Sequence, residues 1–170
     1  MKTLATTLII VALVAPAMAE DVTVENFVRA ESDHMIRANM KAFGVEIGKL
    51  THVREPITPD NQPVIRMNQD TLYSGTVLDL SKPVKITLPE VGGRYMSMHV
   101  VNQDHYMFVE SKPGTYTLNE DSVGTRFAMV SVRTFCDAAD PDDLAKAHAA
   151  QDKIEISGGG EGPFEAPNWN

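Results

Sequence analysis

Two hydrophobic periods divide the chain. Near the start, Val24, Phe27, Val28, Met35, Ala38 and Ala42 recur at the spacing of one helix face. Thr23 occupies an N-cap position, Glu25 and Asn26 fall in the first turn, and Gly44 supplies a stop after Phe43. The pattern predicts an amphipathic helix to about Phe43, with Glu31, Asp33 and His34 in its middle. Glu31 lies close to the apolar stripe, and a carboxylate buried there needs a partner. Arg66, Arg94, Arg126 and Arg133 are available for that role.

Farther along, the period shortens to two. Val64–Met67, Thr76–Leu80, Val84–Leu88, Arg94–Val101, His105–Val109, Thr115–Leu118 and Thr125–Val132 each read as short strands. Turn signals separate them, among them Ser81-Lys-Pro83, Val91-Gly-Gly93 and Lys112-Pro-Gly114. Ahead of them runs Arg54–Pro63, whose three prolines forbid a regular helix or a central strand. A second helix is marked after Asp140, where Pro141 takes the first helical position and Asp142 and Asp143 face the positive end of the helix dipole. It runs to about Asp152, with His148 on its surface, and Lys153–Ile156 reads as a last strand. The expected fold is mainly β (α+β): an antiparallel β-sandwich or barrel-like domain with an N-terminal helix and one further helix near the C-terminus.

The ends change the picture. Lys2, an apolar run from Leu8 to Ala15, and Ala17-Met18-Ala19 before Glu20 have the form of a secretory signal peptide. The expected organisation is a signal peptide over 1–19, a single β-rich domain over 20–156 and a Gly/Pro-rich tail over 157–170. In that tail Phe164 and Trp169 are the only large anchors. A periplasmic or secreted location follows, with no membrane span after cleavage. The net charge of −8, one unit more negative once Lys2 is removed, argues against nucleic acid as a partner. Hydrophobic content of 43% suffices for a real core. Cys136 is the single cysteine, so an intramolecular disulfide and a Cys-based zinc site are both excluded, and its apolar neighbours predict a buried, inert thiol.

Candidate chemistry gathers in two segments. In the first, an extended Val64–Asp70 would place Arg66, Asn68 and Asp70 on one face, able to clamp a polar ligand with Tyr73 at its edge. The same residues would also make an Asx-type turn in which Arg66 neutralises Asp70. In the second, alternation sets Tyr95, Ser97, His99 and Val101 opposite Met96, Met98 and Val100, with Asp104, His105 and Tyr106 in the following turn. His99, His105 and Asp104 are the candidates for acid–base work. Their spacing matches no recognised metal motif, and neither a metal nor another cofactor is expected. Ser74 or Thr71 would be a nucleophile only with His99 or His105 folded against it.

The same segments carry a resemblance. Phe27-Val-Arg-Ala-Glu31-Ser-Asp33, Asp60-Asn-Gln-Pro-Val-Ile-Arg66-Met-Asn68-Gln-Asp70-Thr-Leu-Tyr73-Ser74, Arg94-Tyr-Met-Ser-Met98, Asp104-His-Tyr106, Gly124-Thr-Arg126, Val132-Arg133-Thr134 and Phe164-Glu-Ala-Pro-Asn-Trp169 together resemble the bacterial family known as domain of unknown function 1254. The resemblance implies a β-sandwich-like domain and no particular reaction. It also implies a second β-rich domain beyond the Pro-Asn-Trp segment. With Asn170 as the last residue, a free-standing exported form, a separately encoded companion domain and a truncated gene all stay open. Three functions are therefore in view. The first is binding of a small polar or carboxylated ligand, or of a companion domain, through Arg66, Asn68, Asp70, Tyr73 and Tyr106 with the histidine segment. The second is a hydrolase-type enzyme using His99 or His105 with Asp70 or Asp104. The third is a structural envelope protein.

Overall fold

A computed structural model describes residues 19–62 and 65–170. Residues 1–18 of the expected leader over 1–19, and Val64 of the first expected strand, lie outside the described residues.

Helix α1 spans Phe27–Phe43 and ends at Gly44, whose φ of 63° is a left-handed cap that glycine adopts without strain. The helix starts later than its sequence suggests, because Asn26 rather than Thr23 is the N-cap. Its buried face is also phased differently. Ala30, Ser32, Asp33 and Ile36 point inward, while Val24, Phe27, Val28 and Met35 of the expected stripe are exposed. Glu31 is likewise exposed, so the buried carboxylate is Asp33. Its partners are Gln103, whose Nε2 donates at 2.7 Å, and Trp169, whose Nε1 donates at 2.9 Å; no arginine is involved.

The strands form two antiparallel sheets. The larger comprises β1 (Thr51–Val53), β2 (Thr71–Asp79), β4 (Met96–Asn102), β5 (Met107–Glu110) and β7 (Phe127–Phe135), in the order β1-β2-β7-β4-β5. The smaller comprises β3 (Val84–Leu88), β6 (Gly114–Leu118) and β8 (Glu155–Gly158), in the order β6-β3-β8. Neither sheet closes on itself, so the fold is a sandwich and not a barrel. A one-turn helix, α2 (Glu120–Val123), and α3 (Pro141–Gln151) complete it. In α3 the Asp140 side chain accepts from the Asp142 amide and Pro141 begins the first turn, as its acidic start predicts.

The main core lies between the sheets. Met96, Met98 and Val100 of β4 and Val130 and Val132 of β7 pack on Val84, Ile86 and Leu88 of β3, with Ala150 of α3 closing one side. The opposite face of the larger sheet carries α1. There Ile36, Met40 and Phe43 cover Val77, Phe127 and Met129. Because both faces of the sheet are covered, β2 is buried almost throughout and loses the clean alternation of a half-exposed strand.

Over its described residues, 65–67, the first expected strand does not form. Residues 65 and 66 turn, Arg66 has φ 64°, and the Arg66 amide donates to Gln62 Oε1 at 2.9 Å. Ladder pairing begins only at Thr71. His105 also leaves its expected strand for a left-handed turn position, with φ 65°.

The C-terminal segment docks through both of its aromatic anchors. The Phe164 ring meets Phe127 edge-on, with centroids 5.0 Å apart, and Arg37 lies 5.3 Å over the Phe164 ring. Trp169 reaches the buried Asp33, and its backbone pairs with Glu20 in a parallel bridge. Among the described residues no helix is long and apolar enough to cross a membrane.

Candidate functional site

Strand register assembles a polar patch that no single segment of sequence displays. Tyr73 of β2 lies opposite Arg133 of β7, which lies opposite Ser97 of β4. One row along, Gly75, Ser131 and His99 align in the same way. Directly opposed residues point to the same side, here the side on which α1 packs. The helix covers the rows of Val77, Met129 and Phe127 but stops short of Tyr73 and Arg133. The turn at residues 65–68 folds over that uncovered end.

The result is a cleft of two adjoining chambers. The outer one, of about 280 Å³, is bounded by Arg66 and Asn68 of the turn, Asn39 of α1, and Tyr73 and Arg133 of the sheet. The inner one, of about 110 Å³, is lined mainly by Phe43, Val45, Val53, Met67 and Met129 around Gly75. Asn39, Phe43, Met67 and Tyr73 border both.

Charge is the distinctive property of the outer chamber. Arg29 is paired with Asp104, Arg54 with Asp152, Arg94 with Asp143, and Arg126 with Asp79 and Glu165. Among the described residues Arg66 and Arg133 have no such partner. The Arg133 Nε is buried without a hydrogen bond, and its guanidinium lies 5.9 Å from the Tyr73 ring centroid. A buried, unsatisfied donor of this kind typically costs about 1–3 kcal/mol, which an anion reaching it would recover. Arg66 adds a second cation on a backbone held in the left-handed region, a conformation uncommon for any residue but glycine.

His99 stands on the same face beside this patch, outside the walls of the two chambers. Burial holds its imidazole below the usual histidine range, and the positive charges of Arg133 and His105 push in the same direction. Both effects favour the neutral form of the ring.

The remaining candidates are dispersed. Asp104 is bound to Arg29, at 2.5 Å from its Nη2, and His105 Nδ1 lies 3.3 Å from Ser32 Oγ. The amides of Asp104 and Tyr106 both donate to Asn102 Oδ1 at 2.9 Å, so this segment is an Asx-type turn. No imidazole–carboxylate hydrogen bond forms among the described residues. Tyr106 is 76% exposed and outside the cleft. Asp70 is exposed and makes no ion pair with Arg66; its carbonyl accepts from the Cys136 amide at 2.9 Å. Of the expected ligand-binding residues, the cleft thus gathers Arg66, Asn68 and Tyr73. No group of three His, Cys, Asp or Glu residues is placed to hold a metal ion among the described residues.

Ser74 does meet a histidine, though neither of those expected. His52 Nδ1 lies 2.7 Å from Ser74 Oγ, which also accepts from Gln151 Nε2 at 3.1 Å. Ser74 is fully buried, so this pair ties β1 and β2 to the end of α3 and offers no nucleophile to solvent. Cys136 is buried, and burial pushes its thiol above the ordinary range.

The cleft also brings in Arg133 and Asn39, which were not among the candidates chosen from the sequence. The signal for Arg133 was the sequence Met129-Val-Ser131-Val-Arg133, in which alternate positions turn polar toward one end of an otherwise apolar strand.

Fold and site together define a two-sheet α+β sandwich with a cationic cleft between its first helix and its larger sheet. The chain belongs to the family described as "Protein of unknown function (DUF1254)", whose model matches residues 47–158. Its fold is similar to that of the VPA0106 protein from Vibrio parahaemolyticus, with a TM-score of 0.63 and 16% identity. That match covers 85% of this chain and 41% of the Vibrio protein, so the chain matches about two-fifths of the length of this structural neighbour. No curated protein matches it.

Proposed function

We propose that this domain binds a small carboxylated ligand in the cleft between α1 and the larger sheet. Arg133 and Arg66 hold the carboxylate, and Asn39, Asn68 and Tyr73 supply the hydrogen-bonding rim. The observation that carries the proposal is Arg133, a partly buried guanidinium with an unsatisfied Nε and no ion-pair partner among the described residues. A guanidinium is suited to this task because its fork of donors matches the two oxygens of a carboxylate. Hydrolase chemistry has less support, since the histidines and carboxylates considered for it are not hydrogen-bonded to one another.

Export to the periplasm or beyond belongs to the same proposal, on the leader-like first 19 residues. Mass spectrometry of the protein made in its host should find a chain beginning at Glu20.

The binding test is a melting series with small carboxylates on wild type and Arg133→Met. A ligand at a hundred times its Kd should stabilise wild type by about 2.7 kcal/mol and leave the variant unmoved. Bound carboxylate should also raise the His99 pKa, because it offsets the positive charge that now depresses it; histidine NMR reads this directly. No shift with any carboxylate would defeat the proposal. If a separately expressed companion domain then raised the melting temperature, docking of that domain would replace it. Tyr106, Met107 and Val109, exposed on and beside the edge strand β5, form the surface that favours this second reading.

A further inference from the structure

The two chambers differ in chemistry, and the difference describes a ligand. This step rests on the carboxylate reading of the outer chamber and adds what the inner one selects. The inner chamber adjoins the outer one across Phe43, Met67 and Tyr73, so a molecule anchored at Arg133 and extended toward it meets mainly apolar walls. Those walls are mainly apolar, with Val45, Val53 and Met129; the Ser131 hydroxyl beside Gly75 is the polar group deepest in the chamber, and Asn39 and Tyr73 stand where it meets the outer one. Thr51, at the margin, already donates its hydroxyl to the Gly44 carbonyl at 3.1 Å. A second carboxylate placed there would meet one serine hydroxyl and would lose most of its hydration without compensation.

Size narrows the class further. An apolar cavity of about 150 Å³ accommodates benzene. The inner chamber, at about 110 Å³, suits a compact branched alkyl group of roughly four carbons. Gly75 makes this space possible. A Cβ at that position would stand 3.1 Å from Val45 Cγ2 and would narrow the chamber from its floor. Gly75 is in a regular ladder position, opposite Ser131 and Thr51, so no turn or left-handed conformation explains glycine there.

We infer that the ligand is a small monocarboxylic acid with a compact, branched apolar tail. The carboxylate lies in the outer chamber at Arg133 and Arg66, and the tail fills the inner chamber over Gly75.

Calorimetric titration of the full chain with acetate, 3-methylbutanoate, succinate and 3-methylbutan-1-ol tests this. Three additional buried carbons should make 3-methylbutanoate bind about 50-fold more tightly than acetate. Succinate should bind no better than acetate, and the alcohol should not bind measurably. In Gly75→Ala the ratio of 3-methylbutanoate to acetate affinity should fall toward one. In Val45→Ala, which enlarges the same chamber, the preference should move to 4-methylpentanoate. If Gly75→Ala fails to fold, the Val45→Ala shift decides the matter alone. Acids that bind without regard to the tail, or succinate bound most tightly, would overturn this inference and leave the carboxylate reading standing. Failure of every acid to bind would remove both.

Discussion

Asp79 ends β2 as a carboxylate almost wholly removed from solvent, and Arg126 keeps it ionised. The guanidinium donates from Nε at 3.1 Å and from Nη2 at 2.9 Å, and the Ser81 amide adds a third bond at 3.0 Å. These bonds, the arginine first, lower the Asp79 pKa to about 2 against the opposing effect of burial. A carboxylate whose folded pKa lies below its unfolded value stabilises the fold fully above the unfolded pKa. The contribution disappears as pH falls from about 4 to about 2. The difference corresponds to about 2 kcal/mol at neutral pH. Asp79→Asn should therefore lower the unfolding free energy by about that amount at pH 7, and the two proteins should converge as pH approaches 2. Urea titrations at pH 7, 4 and 2.5 measure the gap, and a gap independent of pH would refute the assignment. Gly160 belongs to the same arrangement: a Cβ there would stand 2.6 Å from Asp79 Cγ, so the glycine lets the C-terminal segment lie against the buried carboxylate.

Elements whose environment is uniform along their length were legible in the sequence. Strand β3 runs over Val84–Leu88 as expected, because it alternates strictly between core and solvent. Helix α3 begins as expected, because Asp140, Pro141 and two further acids act locally at its start. The phase of α1 was not legible. Its sequence contains two apolar stripes, and the richer one, with Phe27, Val28 and Met35, faces outward. The inward stripe includes Ser32 and Asp33, which only the tertiary partners Gln103 and Trp169 make tolerable inside. The strand reading of residues 65–67 failed for a related reason, whereas the alternative reading of this segment as a turn anticipated the bend at 65 and 66. Its alternation resembles a strand, but the turn at Arg66 is held by the Gln62 side chain, and the cleft depends on that turn. Arg66, Asn68 and Tyr73 thus share a cleft, though not through the extended geometry on which they were chosen as candidates. Arg133 was read only as an available ion-pair partner, because what distinguishes it is the pair it lacks, and pairing is decided by register across strands.

At the scale of the molecule, α1 is fastened over the larger sheet by the two ends of the described chain. Glu20 donates its amide to the Asn168 carbonyl at 2.8 Å and accepts from the Asn170 amide at 2.9 Å. Arg37 of α1 donates to the Ala166 carbonyl at 3.0 Å, and Phe164 packs beneath it on Phe127. Trp169 supplies one of the two hydrogen bonds that satisfy the buried Asp33. Removing residues 163–170 should consequently loosen α1 and not merely shorten the chain. Uncovering one packed phenylalanine and leaving a buried carboxylate oxygen unpaired together predict a loss on the order of 3 kcal/mol. Trp169→Phe keeps the ring but not the donor, and should cost about 1–2 kcal/mol through Asp33 alone. Because Asn39 and Phe43 lie on the same helix and border both chambers, the truncated protein should also bind any cleft ligand more weakly, though no residue of the cleft has been altered. Denaturation midpoints and ligand titrations on the two variants measure both effects. An unchanged midpoint in the truncated protein would mean that the segment only lies against the domain. Loss of stability without loss of binding would mean that α1 holds its position over the sheet through Ile36, Met40 and Phe43 alone.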